Sequence, residues 1–127
     1  MKRSGLLNPA LAHAVARLGH TNTFVVSDCG LPVPRSVEVI DLSVVFGVPR
    51  FTDVLDALLH EVVADGGIAA EEVRRTEADQ WISGRITPLA YVPHEEFKRQ
   101  VADAEFVVRT GETTSYANVI VRCGVPF

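Results

Sequence analysis

Short apolar runs that alternate with helix-like segments constrain the fold of this chain more than any other feature of its sequence. The runs at Thr23–Ser27, 106–110 and 119–122 are rich in β-branched residues, and polar residues do not alternate with them. A strand that exposes one face to water alternates apolar and polar residues, whereas a strand covered on both faces carries a continuous apolar run. The sequence therefore predicts a largely buried sheet.

Segments with helical periodicity lie between these runs. Asn8 followed by Pro9 is typical of a helix start, and Gly19 is expected to end this helix in the left-handed conformation. A second helix is expected to begin with Thr52 as its N-cap and to end at the glycine pair 66–67. The remaining predicted elements are helices at 77–83 and 94–104 and strands at 37–42, 68–73 and 88–92.

The size and composition of the chain bound its organisation. A chain of 127 residues has room for one hydrophobic core, so we expect residues 1–127 to form a single domain. Strands that alternate with helices favour an α/β architecture. Hydrophobic residues make up 47% of the chain and the mean hydropathy is +0.19, which in so small a domain indicates apolar surface buried between subunits. A homo-oligomer is expected.

Charge and cysteine usage exclude several classes of protein. The net charge is −4 and the basic residues are scattered, whereas nucleic-acid binding needs a concentrated positive face. Two cysteines cannot build a framework of several disulfides, so reduced thiols are expected. Asn8 and Pro9 interrupt the only apolar run near the first residue, which leaves it too short for a signal peptide or a membrane span. We therefore expect a cytoplasmic protein that binds neither nucleic acid nor membrane.

Polar clusters stand at the ends of the predicted elements, where a rigid scaffold can present side chains to a ligand. Two histidines, a carboxylate, a phenol and an amide among them form a suitable set for binding a polyhydroxylated ligand and moving protons on it. The residues concerned are His20, Asp28, His94, Tyr116 and Asn118.

Each of these residues also has a purely structural interpretation. His20 follows a glycine that is expected to end a helix, so it is suited to interact with the helix dipole. Asp28 before a cysteine–glycine pair is typical of a turn. His94 is placed to cap a helix, and Tyr116 and Asn118 are placed to close a turn between strands.

Other kinds of chemistry lack a signal in the sequence. The nine glycines are spread out and form neither of the usual phosphate-binding loops. No pair of histidines has the helical spacing of a zinc site, and no serine stands in the G-x-S-x-G context of a nucleophile. The sequence predicts neither a metal nor another cofactor.

Three motifs, in this order along the chain, resemble the ribose pyranase and fucose mutarotase superfamily. They are R-L-G-H-T at 17–21, D-x-G-L-P-x-P at 28–34, and R-x-G-E at 109–112 followed by Y-A-N at 116–118. The G-L-P-V-P loop favours the ribose pyranase branch. The resemblance implies a three-layer α/β/α domain with a mixed sheet and an assembly of two stacked pentameric rings, a homodecamer with its sites at subunit junctions.

The resemblance also implies an activity and a role for individual residues. The activity is the interconversion of the pyranose and furanose forms of a free ribose-like monosaccharide, with no cofactor. The histidine that matches His20 is the catalytic acid and base, and the residues that surround the sugar match Asp28, His94, Tyr116, Ala117 and Asn118. Two alternatives remain open at this point: a fucose-type mutarotase that exchanges anomers, and a sugar-binding module without turnover.

Overall fold

A computed structural model describes residues 1–127 and contains six strands and four α-helices. The strands are β1 (Thr23–Ser27), β2 (Glu38–Asp41), β3 (Ala64–Ala70), β4 (Leu89–Val92), β5 (Phe106–Arg109) and β6 (Val119–Cys123). The helices are α1 (Pro9–Ala16), α2 (Phe51–Leu59), α3 (Ala78–Ser83) and α4 (His94–Gln100), with short 3₁₀ turns at Glu71–Arg75 and Val101–Asp103. None of these helices combines the length and the apolar character needed to cross a bilayer.

The six strands form one mixed sheet in the order β2-β5-β1-β6-β3-β4. β6 is antiparallel to both of its neighbours, β1 and β3, whereas the other adjacent pairs are parallel. Every strand except β6 therefore ends at the same edge of the sheet, and β6 begins there. We call this edge the carboxyl edge.

Helices cover both faces of the sheet, as the continuous apolar runs predict. On one face, Phe24 and Val26 of β1 belong to a buried cluster that includes residues of α1, α2 and α3. On the other face, Val25 packs in a second cluster with Phe97 of α4. The fold is the expected three-layer α/β/α arrangement with a mixed, largely buried sheet.

The predicted start of α1 is confirmed, but its predicted end is wrong. The side chain of Asn8 accepts a hydrogen bond from the Leu11 N–H at 3.0 Å, and Pro9 is the first helical residue. The helix ends at Ala16 and not at Gly19, which does not adopt the left-handed conformation. The residue with a positive φ is instead Thr21, at 70°, because the chain forms a separate turn before it enters β1.

The glycine pair at 66–67 also has a different role from the predicted one. It lies inside β3, which begins at Ala64, whereas α2 ends earlier, at Leu59. The register of β3 shifts against β6 between Ala64 and Gly66, where φ is 143°, so Gly66 belongs to a bulge. A Cβ on Gly67 would lie 3.0 Å from the Ile120 carbonyl oxygen, so the sheet packs too closely for a side chain there.

Two further boundaries differ from the predictions. α2 begins at Phe51, with Arg50 and not Thr52 in the N-cap position. Residues 71–73, predicted as the end of a strand, belong to the 3₁₀ turn after β3. In both places the deviation is a few residues, and the element itself is where the sequence predicts it.

The turn at 47–49 and the segment after β5 support each other at Gly111. The Gly47 N–H donates to the Gly111 carbonyl oxygen at 2.6 Å, and the Gly111 N–H donates to the Pro49 carbonyl oxygen at 2.9 Å. A Cβ on Gly111 would overlap the backbone of Val48. Only glycine therefore lets the two segments approach this closely.

We expect Gly111→Ala to lower the free energy of unfolding by about 1–3 kcal/mol, because the added methyl group must displace backbone. Chemical denaturation measures this change. Gly30→Ala is the matched control, since a Cβ there would meet nothing closer than 3.7 Å. Equal stability of the two variants would show that the turn at 47–49 does not restrict Gly111.

Candidate functional site

A cavity of about 310 Å³ opens at the carboxyl edge of the sheet. Its size is at the lower end of the range for small-molecule sites, roughly 300–1,000 Å³. The segments after β1, β4 and β5 meet there with the start of β6. The lining residues are Asp28, Cys29, Gly30, Leu31, Pro32, His94, Glu112, Thr113, Ser115, Tyr116 and Asn118.

Asp28 and Asn118 form a reciprocal pair in the cavity wall. The Asp28 N–H donates to Asn118 Oδ1 at 2.9 Å, and Asn118 Nδ2 donates to Asp28 Oδ2 at 3.0 Å. Asp28 Oδ1 accepts from the Gly30 N–H at 2.9 Å, which is the turn that the sequence suggests at this position. Asn118 is almost fully buried, whereas Asp28 is half-buried. The pair thus fixes a carboxylate at the boundary between the core and the cavity.

His94 begins α4 directly after β4 and points an aromatic ring into the same wall. Its backbone N–H donates to Glu72 Oε2 at 2.9 Å, so Glu72 caps the helix. Its ring stacks on Phe97 and meets the ring of Tyr116 edge-on, with centroids 5.1 Å apart. The Nδ1 atom of His94 is buried without a hydrogen-bond partner, which is unusual for a polar atom outside a functional site.

Tyr116 and Ala117 form the turn that leads into β6. Tyr116 has a φ of 64°, a conformation that non-glycine residues rarely adopt and that is often found at ligand sites. The Asn118 N–H donates to the Tyr116 carbonyl oxygen at 2.7 Å and tightens the turn. Ala117 is completely buried in the core, so its side chain does not line the cavity.

His20 lies far from this cavity within the same chain. It precedes β1, whereas Asp28 follows β1, so the length of the strand separates them. Four steps of roughly 3.3 Å put about 13 Å between the two ends of β1 alone. His20 is exposed in the turn at residues 19–22, and this turn is bonded to Cys123 at the far end of β6. The structure therefore brings Asp28, His94, Tyr116 and Asn118 together and leaves His20 at the opposite edge of the sheet.

The helix-cap explanation of His20 also does not fit this geometry. Arg17 occupies the cap of α1, and its N–H bonds to carbonyl groups of the last turn. His20 is four residues beyond the last helical residue, Ala16. The dipole effect of a helix falls off within its last turn, so His20 contributes little to α1.

Glu112 is a site residue that the sequence motifs contain but that residue-type reasoning does not single out. It is only 8% exposed. Its Oε1 accepts from the N–H groups of Thr113 and Thr114, both at 3.0 Å, and its Oε2 accepts from the Phe51 N–H at 3.4 Å, at the start of α2. Its carbonyl oxygen accepts from the Cys29 N–H at 2.9 Å. Glu112 thus connects the start of α2 with the loop after β1 and the loop after β5.

The same carboxylate stands between two cavities and is held in its charged form. Burial raises the pKa of Glu112, but the hydrogen bonds from Thr114, Phe51 and Thr113 outweigh burial, so the pKa lies below its ordinary value. A second cavity, of about 450 Å³, is lined by Gly47, Arg50, Thr52, Glu77, Trp81, Glu112 and Thr114.

The chemistry available at the first cavity, which Asp28, His94, Tyr116 and Asn118 line, is hydrogen bonding and proton transfer. Carboxylate, imidazole, phenol, amide and hydroxyl groups line it, and no lysine or arginine does. No cluster of three or more histidine, cysteine, aspartate or glutamate side chains has the geometry to hold a metal ion. The arrangement suits an uncharged ligand with many hydroxyl groups.

The sequence matches the RbsD / FucU transport protein family over residues 1–126. It is 60% identical to the D-ribose pyranase of Cutibacterium acnes over 127 residues, which cover 100% of both chains. It is 55% identical to the D-ribose pyranase of Corynebacterium glutamicum over 128 residues, again with 100% of both chains covered.

Two solved structures are similar to this chain in fold. The structure of Bacillus subtilis RbsD complexed with D-ribose is similar with a TM-score of 0.90 and 42% sequence identity, over 100% of both chains. FucU from Bifidobacterium longum has a TM-score of 0.82 at 21% identity, over 95% of this chain and 97% of that one. At that level of identity, the second likeness establishes the fold alone.

We expect Glu112→Gln to lower the free energy of unfolding at pH 7 by about 1–3 kcal/mol, because an amide cannot accept all the hydrogen bonds of the carboxylate. The folded-state pKa is lowered, so the contribution of Glu112 is full above the unfolded pKa of about 4.3 and is lost as the pH falls through the folded value. The difference from wild type should therefore shrink as the pH falls below the unfolded value. Urea unfolding as a function of pH measures it.

The exposed Glu38→Gln is the control, since the Glu38 carboxylate accepts no hydrogen bond. If the difference in the free energy of unfolding between Glu112→Gln and wild type stays constant with pH, the substitution acts through packing and not through the charge of the carboxylate.

Proposed function

Because the chain belongs to the RbsD / FucU transport protein family, we propose that it acts as a D-ribose pyranase, an isomerase that interconverts the pyranose and furanose forms of free D-ribose. The observation that carries this proposal is the full-length likeness to a ribose-bound structure together with 60% identity to a D-ribose pyranase. The whole chain, residues 1–127, would then be one domain of this family. The charge and size of the cavity at the carboxyl edge agree with a free monosaccharide.

The reaction requires only proton transfers. A proton is delivered to the ring oxygen while the anomeric hydroxyl loses one, so the bond between the anomeric carbon and the ring oxygen breaks and an open aldehyde forms. A different hydroxyl then attacks the aldehyde, transfers its proton and closes the furanose ring. A histidine with an ordinary pKa near 6.5 exchanges protons at neutral pH, and such catalysis contributes typically about 10²–10⁴-fold.

In this proposal His20 is the catalytic acid and base, and the cavity holds the sugar. Each polar side-chain atom of Asp28 and Asn118 already makes one hydrogen bond. The pair binds hydroxyl groups through the remaining lone pairs of its oxygens and the second hydrogen of the Asn118 amide. His94 and Tyr116 form the aromatic wall, and His94 offers an unpartnered ring nitrogen. Ala117 shapes the binding turn from within the core and contributes backbone.

A complete site then needs two copies of the chain. His20 and the cavity are at opposite ends of β1, so the His20 that serves a given cavity comes from a neighbouring copy. The exposure of His20 supports this division, because its side chain is free to reach outside its own chain. The expected assembly is a decamer of two pentameric rings in the cytoplasm, a reducing compartment that suits the free thiols of Cys29 and Cys123.

An apolar hairpin next to the cavity supports assembly. Val44, Val45, Phe46 and Val48 form it, with exposed fractions of 76%, 62%, 84% and 50%. Val44, Val45 and Phe46 border a cavity that shares Cys29 with the ribose cavity. Exposed apolar patches of this kind mark protein–protein contacts. In this proposal, the copy that docks on this hairpin supplies its His20 to the site.

We expect His20→Ala to reduce pyranose–furanose exchange by about 10²–10⁴-fold, with folding and assembly retained. Magnetisation-transfer NMR on D-ribose measures exchange, and equilibrium dialysis measures binding. Ribose binding by the wild-type protein without accelerated exchange would favour a sugar-binding module, and exchange of anomers without change of ring size would favour a mutarotase.

A shared site makes a second prediction. His20→Ala and Asp28→Ala should each be inactive, yet assemblies formed from an equal mixture should recover about a quarter of wild-type activity, because one junction in four joins an intact His20 to an intact cavity. Each variant refolded by itself is the control. No recovery in verified mixed assemblies would show that His20 does not act across a subunit junction.

The apolar hairpin is tested by Phe46→Asp. A charge at its centre should oppose docking of a second copy and lower the particle mass measured by light scattering. Phe127→Asp is the matched control, because Phe127 is 99% exposed and lies outside the hairpin. An unchanged mass for Phe46→Asp would remove the hairpin from the interface.

A further inference from the structure

The turn that carries His20 is held in an unfavourable backbone conformation. We call residues 19–22 the His20 turn. Thr21 has a φ of 70°, and β-branched residues rarely adopt the left-handed region. Such a conformation persists only where the surrounding structure determines it, and it is common at functional sites. The contacts of the turn must therefore hold Thr21 in this conformation.

The side chain of Asn22 closes the turn from within. Asn22 Oδ1 accepts from the Gly19 N–H at 2.6 Å. The backbone N–H of Asn22 donates to the Gly19 carbonyl oxygen at 3.2 Å. A Cβ on Gly19 would lie 3.2 Å from Asn22 Oδ1, which is a tight contact. Gly19 and Asn22 thus bond reciprocally across His20 and Thr21.

Further hydrogen bonds attach the turn to both neighbours of β1. On the β6 side, the Thr21 N–H donates to the Cys123 carbonyl oxygen at 3.0 Å, and the Cys123 N–H donates to the Asn22 carbonyl oxygen at 2.9 Å. On the β5 side, Asn22 Nδ2 donates to Glu105 Oε1 at 2.9 Å. Every residue of the turn except His20 takes part in these bonds.

His20 itself is exposed and its side chain makes no hydrogen bond within the chain. The turn thus fixes the backbone on both sides of His20 while it leaves the imidazole free. This is the arrangement expected for a side chain that acts on something outside its own chain.

We propose that Asn22, oriented by Glu105, is a positioning residue for His20. This inference rests on the proposed function, in which His20 transfers protons in the cavity of a neighbouring copy. The Asn22 amide fixes the backbone from which the imidazole extends, and the Glu105 carboxylate keeps the amide oxygen directed at Gly19. Correct placement matters because a displacement of about 1 Å can reduce a catalysed rate by roughly 10²-fold.

The strands that hold the turn also lead to the cavity. Glu105 immediately precedes β5, and the segment after β5 carries Glu112. Cys123 ends β6, and Asn118 immediately precedes that strand. The same two strands therefore fix the His20 turn at one edge of the sheet and the sugar-binding residues at the other. A ring of identical copies can then repeat one spacing at every site.

The test exchanges the two polar groups. Asn22→Asp keeps an acceptor for the Gly19 N–H but places a second carboxylate against Glu105. Asn22→Asp combined with Glu105→Gln restores the hydrogen bond, with donor and acceptor interchanged. Glu105→Gln alone completes the cycle, because its amide oxygen can still accept from Asn22. The measurements are kcat and KM for D-ribose exchange by magnetisation-transfer NMR, the melting temperature and the particle mass.

We expect Asn22→Asp to lower kcat by about 10–100-fold with KM and particle mass unchanged, and we expect the double variant to regain most of the loss. Glu105→Gln should lower kcat less than Asn22→Asp does, because its amide oxygen still accepts from Asn22 Nδ2. A purely structural turn would instead lower the melting temperature and leave kcat intact, and that result would overturn the inference. A double variant whose kcat stays as low as that of Asn22→Asp would also overturn the inference.

Two further variants keep the test decisive. If Asn22→Asp does not assemble, Glu105→Ala leaves Asn22 in place and removes only its partner, and a kcat equal to wild type would overturn the inference. His20→Ala separates the two levels of the proposal. Normal exchange in His20→Ala overturns the proposed catalytic role and this inference together, whereas loss in His20→Ala with normal exchange in Asn22→Asp overturns this inference alone.

Discussion

The pairing of β6 between β1 and β3 is the constraint on which the architecture depends. β1, β5 and β2 form one parallel group and β3 and β4 form another, and only β6 joins them. Because β6 runs against all its companions, its first residues meet the last residues of the other strands. The segment before β6 therefore lies beside the segments that follow β1, β4 and β5. The cavity exists because one strand of the sheet is reversed.

The walls of the cavity are held mainly by bonds between side chains and backbone. Asp28 and Asn118 each use a side-chain oxygen to accept a backbone N–H, and Glu112 accepts three. Such bonds fix loops that have no regular secondary structure, and charged acceptors make them stronger. The loops at the carboxyl edge are thus well ordered around a polar space. Because the loops are preorganised, less free energy is spent on ordering them when a sugar binds.

Much of the fold could be predicted because β1, β5 and β6 are continuous apolar runs rich in β-branched residues. Apart from two shifted boundaries, the errors involve glycine, whose structural role depends on tertiary packing. Gly19 makes a close contact with Asn22 and does not end a helix, and the pair at 66–67 serves a bulge and a close approach between strands. Residue-type reasoning selected Asp28, His94, Tyr116 and Asn118, which the structure brings together because each stands at a strand end on one edge. The separation of His20 from these residues follows from the length of β1, which residue types do not reveal, and the role of Glu112 depends on the approach of α2, which local sequence does not encode.

The distance that β1 imposes between His20 and the cavity has a consequence for how such a protein is studied. When catalytic and binding groups reside on different molecules, turnover becomes a property of the population of junctions and not of the individual chain. If the neighbouring copy supplies His20, as proposed, specific activity depends on concentration, since dilution below the dissociation constant of the assembly separates the two halves of each site without unfolding any subunit. In a cell that expresses two versions of the chain, a version defective in both His20 and the cavity would inactivate the junctions on both sides of it. Its effect on the phenotype would exceed its share of the protein.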